Sequence, residues 1–298
     1  NNWVDGVVNG IWNPSLTNTA AQIVTFGSDI TLTTPLTFNY AGNFGLTLRS
    51  DGASARKLML GGDIYASPAA NQTVTFGSSI GQKLNIDLGG TNRIFTAAGS
   101  KVISFLNSIT NGTFTVFGNG TTKLSGGGGM APSIDILIEQ EGTLDCDSSS
   151  SGITGTTRAK SVRIRAGELK VTGNAGADSA DRIEELITID ANLTNRTSSG
   201  VGGIGYISVD ANASRNSRLI ATSLVRTNNG VAIVRGDGLG ATPAAGVANI
   251  LLTNAPTLVG GGGGEDTANI SIIPWAIGSI SPGGGADSFI THASNGLR

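Results

Sequence analysis

Cysteine is almost missing: Cys146 is the only one in 298 residues. No intrachain disulfide can form, so the chain is not a stapled secreted mini-domain. Histidine is equally scarce. His292 stands alone, which excludes a His-Glu-x-x-His motif and any multi-histidine zinc cluster. Charge is thin, at 13% of residues, where about a quarter is usual. The 19 basic and 21 acidic residues leave a formal net charge of −2 and no nucleic-acid footprint. No apolar run reaches the length of a membrane span, so no membrane insertion is expected. No signal peptide is evident either. The chain starts in mid-pattern at Asn1-Asn-Trp-Val4, as a mature or excised portion of something longer would.

What is present is glycine, 45 residues of it, without the every-third-residue period of collagen. Hydrophobic residues make up 39%, which argues against general disorder. Ser, Thr, Asn and Gly supply the surface polarity that charge does not. Such a surface suits a wall-like or extracellular structural protein.

Four related phrases lie between Asn111 and Gly173: Gly112-Thr-Phe-Thr-Val116, Gly120-Thr-Thr-Lys-Leu124, Gly142-Thr-Leu-Asp-Cys146 and Gly167-Glu-Leu-Lys-Val171. Each reads as a glycine turn followed by a short alternating strand. The alternation puts Phe114 with Val116, and Leu144 with Cys146, on one face. Gly120 to Gly142 is 22 residues and Gly142 to Gly167 is 25. That is the path of one coil in a solenoid of short strands. One coil cannot bury its own apolar side chains, but stacked coils share a continuous core. The fold class expected is all-β, a parallel β-helix. A β-sandwich also uses short strands and Gly-rich turns and is the alternative.

Three regions follow. Residues 1–20, with Trp3, Trp12 and Pro14, read as a cap or entry segment over the first coil. The tryptophans would pack beneath that cap or form an aromatic ligand platform. Residues 21–173 are regular coils. Within them Ile23-Val-Thr-Phe-Gly-Ser-Asp-Ile30 returns 50 residues later as Thr73-Val-Thr-Phe-Gly-Ser-Ser-Ile80, a step of two coils. Residues 174–298 continue the β-helix less regularly, with longer loops and a C-terminal cap. There Asn174 to Asp181 reads as a polar loop, Arg182 to Ile189 as a strand, Gly260 to Gly264 as a long loop, and Trp275 as packing near the end.

The phrases Gly112-Thr-Phe-Thr-Val-Phe-Gly-Asn-Gly-Thr-Thr-Lys-Leu-Ser-Gly126, Glu141-Gly-Thr-Leu144 and Arg165-Ala-Gly-Glu-Leu-Lys-Val171 resemble the autotransporter-associated β-strand repeats, also called passenger-associated transport repeats. The stretches Leu224-Val-Arg-Thr-Asn-Asn-Gly230, Ile250-Leu-Leu-Thr-Asn-Ala-Pro-Thr-Leu258 and Ile273-Pro-Trp-Ala276 resemble the end of large bacterial surface proteins carrying them. Residues 1–110 match in style alone. The resemblance implies a right-handed parallel β-helix, exported to or displayed at the cell surface.

Parallel β-helices include polysaccharide lyases and hydrolases, so acidic clusters carry the enzymatic alternative. Glu139, Glu141, Asp145 and Asp147 form the best one. Alternation puts Asp145 and Asp147 outward on one strand face, about 7 Å apart, as acid–base sugar cleavage would use them. The plainer reading is two solvated positions flanking buried Cys146, with no basic residue nearby in sequence. Cys146 itself reads as core, with a reactive thiol as the alternative. Asp178, Asp181, Glu184 and Glu185 form a second acidic group, in which Arg182 could pair with a carboxylate. Calcium would need Asp178 and Asp181, or Glu265 and Asp266, and neither set fits an EF-hand or a glycine–aspartate repeat. Gly236-Asp-Gly-Leu-Gly240 lacks the lysine of a phosphate loop and reads as a turn. Arg163 and Arg165 project outward and could touch an anion. A serine triad would have to recruit His292.

The expectation is a non-enzymatic structural segment of an extracellular or outer-surface protein, without catalytic, cofactor or metal residues. It would build a fibre, sheath or surface layer by self-association or by stacking on neighbouring repeats. An adhesin binding glycan or protein, with loops near Trp3, Trp12 or Tyr206, is the second reading. A lyase or hydrolase using Asp145 and Asp147 is the third.

Overall fold

The computed structural model describes residues 11–12, 21–39, 45–52, 54–67, 72–78, 81–126, 128–149, 156–192, 203–263 and 267–298. Among them there is no helix, and hence none long and apolar enough to cross a membrane. The chain is a parallel β-helix. One sheet has twelve strands and the other eleven, and successive coils pair in parallel from Ile11–Trp12 to Ala276–Ser279. A β-sandwich is thereby excluded, since its neighbouring strands would run antiparallel.

Each coil adds one strand to the eleven-stranded sheet: Gln22–Phe26, Leu46–Ser50, Thr73–Phe76, Val102–Phe105, Thr121–Ser125, Thr143–Asp147, Glu168–Thr172, Ile204–Asp210, Val231–Gly236 and Ala276–Ser279. The twelve-stranded sheet begins with two short strands per coil, such as Arg56–Met59 and Ile64–Ala66. These pair with the two halves of one long strand, Leu84–Ala97. From there to Ser217–Thr227 each coil contributes one long strand, with register shifts in most of the pairings between them, and the short strand Ala248–Leu252 ends the sheet.

The glycine phrases mark the corner where the chain passes from one sheet to the other. Glu141 (φ 65°) and Ala166 (φ 56°) take the left-handed conformation, and Gly142 and Gly167 follow them. A Cβ on Gly142 would sit 2.9 Å from the Val116 carbonyl oxygen, and one on Gly167 would sit 2.5 Å from Ile138 Cγ2. Glycine recurs because the corner lies too close to the coil beneath for a side chain. Gly112 is different. It lies inside Ile109–Phe117, in the other sheet, next to a register shift. The first phrase therefore belongs to a different face from the other three.

The two coil lengths read from the phrases are the observed ones: Thr121 pairs with Thr143, and Thr143 with Glu168. The Ile23 and Thr73 phrases do lie two coils apart, but not in matching register. Val24 stacks on Leu48, and Leu48 on Phe76 rather than Val74. A slip of two residues keeps every side chain on its own face, so the repeat tolerates it.

Inward side chains stack in columns. One runs Leu48, Phe76, Phe105, Leu124, Cys146, Val171, Val209. Its phenylalanines lie ring on ring, Phe76 and Phe105 at 5.0 Å between centroids. Phe95 joins Phe105 at 5.2 Å and Phe114 at 4.8 Å. Such contacts add about 0.5–1.5 kcal/mol each beyond area burial. Cys146 is fully buried in this column, and burial pushes its thiol up, as a core residue.

The stack does not end as it runs. Ser288–Phe289 adds to the eleven-stranded sheet in the antiparallel sense, and His292–Ala293 pairs with Gly296–Leu297 in a separate hairpin. At the other end Ile11–Trp12 is the first strand of the twelve-stranded sheet. The rest of 1–20, Trp3 included, lies outside the described residues, as do the Trp12 side chain, Ile80, Gly264, Glu265 and Asp266. The cap, platform and second calcium assignments fall there. Asn174 to Asp181 is not all loop: the strand Ser179–Asp190 has begun by Asp181.

Candidate functional site

The outward face of the eleven-stranded sheet carries one column through eight coils: Thr47, Thr75, Ser104, Lys123, Asp145, Lys170, Ser208, Arg235. Coil stacking places Lys123 directly beneath Asp145. Lys123 Nζ lies 3.2 Å from Asp145 and 3.0 Å from Asp147. Asp145 also accepts the Thr172 hydroxyl at 2.9 Å, and Asp147 accepts the Ser149 amide at 2.9 Å.

The reading of Asp145 and Asp147 as solvated positions needs correction. They face outward, yet are only 3% and 9% exposed. The missing basic partner is also present. Lys123 is 22 residues away in sequence, which is one coil. Burial pushes the Asp145 carboxyl up, against the pull of Lys123 and with the repulsion of Asp147. Burial acts on Asp147 in the same sense, but the Ser149 hydrogen bonds and Lys123 outweigh it and hold that carboxyl low. The Lys123 ammonium is depressed by burial and raised, on balance, by its two carboxylates.

Two coils on, the same face carries a second cluster. Arg235 reaches Glu168 at 2.8 Å, donates to the Ser208 hydroxyl at 2.9 Å, and lies 4.7 Å over the Tyr206 ring. One face of Tyr206 is thus already covered by the protein's own guanidinium. Lys170 pairs with Asp210 at 3.3 Å.

Arg163 and Arg165 do project outward, and both are engaged. They meet Asp190 at 3.0 and 2.8 Å, and Arg165 also meets Glu139 at 3.1 Å. Burial raises the Asp190 carboxyl, but hydrogen bonds from Asn228, the Asn192 amide, Arg165 and Arg163 hold it well below the usual range. Glu139 ends a strand of the twelve-stranded sheet and pairs with Arg165, and Glu141 sits in the corner turn before Gly142, so neither shares the strand of Asp145 and Asp147.

Asp181 is the largest departure from the sequence reading. It is a fully buried carboxylate, paired at 2.6 Å with Arg158, itself fully buried. Arg158 also donates to the carbonyls of Gly126 and Gly129 and to the Ser148 hydroxyl, and Ser148 donates to Asp181. Burial pushes the Asp181 carboxyl up while Arg158 and Ser148 oppose it. Arg182, the partner anticipated for this group, is exposed on the alternate side of the strand. Asp178 accepts the Asn216 amide, and Glu184 and Glu185 are exposed. Among the described residues no three His, Cys, Asp or Glu side chains are placed to hold a metal ion. His292 lies on the C-terminal hairpin, in a different sheet from Asp145 and Asp147. Gly236 ends the strand Val231–Gly236, and Asp237 to Gly240 follow it as a turn.

Sequence reasoning missed Lys123, Arg158 and Asp190 as partners. The coil period could have found Lys123, since it lies one coil before Asp145. Asp181 lies two residues before buried Ile183, so strand alternation could have turned it inward, whereas Arg158 sits at a register shift where alternation carries no information. Comparison of the chain with protein-family models, with curated proteins and with solved structures finds no match.

Proposed function

We propose that this chain is a structural segment of an exported bacterial surface or extracellular protein, building a fibre, sheath or surface layer. The observation that carries this reading is the outward column from Thr47 to Arg235. Its charges are taken up by neighbours one or two coils away, leaving a stiff wall. Parallel ladders through both sheets make the element rigid along its axis. The likeness of the Gly142 and Gly167 phrases to autotransporter-associated repeats supports display at the cell surface. Electron microscopy of the native assembly tests the reading: rods or sheets are expected, and dispersed particles at all concentrations would refute it.

The enzymatic reading has one specific observation in its favour. Asp145 and Asp147 have carboxyls pushed in opposite directions, as an acid and a base require. Against it, one lysine bridges both, and each is covered. Asp145→Asn should leave the circular dichroism and the assembly unchanged. Loss of a measurable polysaccharide cleavage in that variant would reverse the assignment.

A further inference from the structure

The last long strand of the twelve-stranded sheet, Ser217–Thr227, is paired unequally on its two sides. Towards the N-terminus it pairs with Ser179–Asp190 along both halves, from Ser179 opposite Ser217 to Asp190 opposite Thr227. On the other side Ala248–Leu252 pairs with Ser217–Ala221 alone. The Thr253 and Asn254 amides still reach the carbonyls of Ala221 and Thr222, at 3.1 and 2.8 Å. The chain then leaves the stack and rejoins it at Ala276, in the other sheet. Among the described residues no strand lies on the outer edge of Ser223–Thr227. The earlier long strands Leu84–Ala97, Ala131–Glu139, Thr156–Arg165 and Ser179–Asp190 are paired on this side in both halves, and Ile109–Phe117 is paired from Phe114 to Val116, the half that corresponds to Ser223–Thr227.

A cavity of about 360 Å³ occupies that place, lined by Leu224, Arg226, Asn254, Pro256 and Trp275 among others. Two residues on the open strand give it chemical character. Leu224 continues the buried column of Val162 and Ile187 and is 4% exposed. Arg226 continues the column of Ile164 and Ile189, both fully buried, yet it is exposed. An arginine in an inward register keeps its charge solvated because no further coil among the described residues lies on it. It pairs with no carboxylate among the described residues.

We propose that this edge receives an extended polypeptide strand from another protein chain, with an apolar side chain over Leu224 and a carboxylate two residues along over Arg226. Strand alternation with period two sets that spacing. Main-chain hydrogen bonds to the open edge supply affinity, and the two side chains supply selectivity. The carboxylate gains a charge-assisted bond to the guanidinium. Trp275 and Pro256 wall the apolar position. The added strand completes the half-coil that the excursion from Thr253 to Trp275 omits. This site is independent of the scaffold reading.

The full chain is titrated against a fluorescein-labelled, end-blocked peptide, Ser-Thr-Leu-Thr-Glu-Thr-Ser, by anisotropy. Saturable binding is expected, and replacing the peptide glutamate by lysine should weaken it about tenfold or more. Arg226→Glu, at an exposed position, should fold normally by circular dichroism and reverse that preference, favouring the lysine peptide. Absence of saturable binding to the wild type overturns the proposal, as does unchanged preference in Arg226→Glu. An oligogalacturonate that binds in an Arg226-dependent way where the peptide does not would make the groove a saccharide site and equally overturn it. Self-association in sedimentation that the peptide competes away, and that Arg226→Glu abolishes, supports it with a second copy as the strand donor.

Discussion

The coils up to Gly126 and those after it solve the same packing problem with different materials. The front half is aromatic inside. Phe26, Phe38, Phe76, Phe95, Phe105 and Phe114 are all buried there, and no phenylalanine after Phe114 is among the buried core residues. The back half fills its columns with Ile, Leu and Val and buries more charge: Glu139, Asp145, Asp147, Arg158, Asp181 and Asp190, against Asp87 in the front half. A stacked aromatic column needs no partners beyond its own rings. A buried guanidinium needs an acceptor for every N–H, and Arg158 finds carbonyls, a hydroxyl and a carboxylate on neighbouring coils. Both halves carry polar links across coils, in the front half Asp87 with Lys57 and Asn111 and Arg93 with the Leu60 carbonyl, but the front half adds a stacked aromatic core and the back half adds a fully buried ion pair.

The comparison breaks most sharply at Arg158. Arg158→Ala should cost about 3–5 kcal/mol for the orphaned buried carboxylate alone, with the cavity adding to it. Urea titration would show the loss as a lower midpoint. Arg158→Met with Asp181→Leu should recover most of it, since a buried pair replaced by apolar groups is often neutral. No recovery would mean that the corner carbonyls, not Asp181, are the essential partners.

Phe105→Ala in the front half should cost about 3–5 kcal/mol. No second substitution of a charged partner can rescue it, because the loss is of packing. Native-state hydrogen exchange should then report loosening first in the strands on either side, Thr73–Phe76 and Thr121–Ser125.

Acid titration sharpens the contrast. The Asp190 carboxyl is held low in the fold, so its stabilisation is present above the ordinary carboxylate range and is lost as pH falls through the folded value. Asp181 and Asp145 are raised, so their contribution has the opposite sign: it is greatest below the ordinary range and is lost as pH rises through the folded values. Asp190→Asn should flatten the loss of thermal stability below about pH 4. An unchanged acid limb would show that Asp190 is not held low.

The smallest effect belongs to the wall. Lys170 and Asp210 are 32% and 44% exposed in their side chains, and Lys170→Ala should shift stability by less than about 0.5 kcal/mol. A loss comparable to that of Phe105→Ala would mean that the outward column holds the stack together.

The parallel β-helix was legible because a glycine corner and an alternating strand recur at each coil, and local sterics write both into the chain. Gly142 and Gly167 are glycine because a backbone passes over Val116 and Ile138, and Cys146 is inside because Leu144 is. The acid cluster was only half legible. The alternation that turned Asp145 and Asp147 outward is local, but their covering by Lys123 and Thr172 comes from coils above and below.

Face and period, then, were determined by the sequence itself, because strand geometry fixes them residue by residue. Who meets whom across coils was decided by the tertiary structure, because each coil takes its own length and each corner its own register. Lys123 beneath Asp145, Arg158 locked to Asp181, and an outer edge at Ser223–Thr227 with no strand partner among the described residues all follow from stacking, which no single coil encodes.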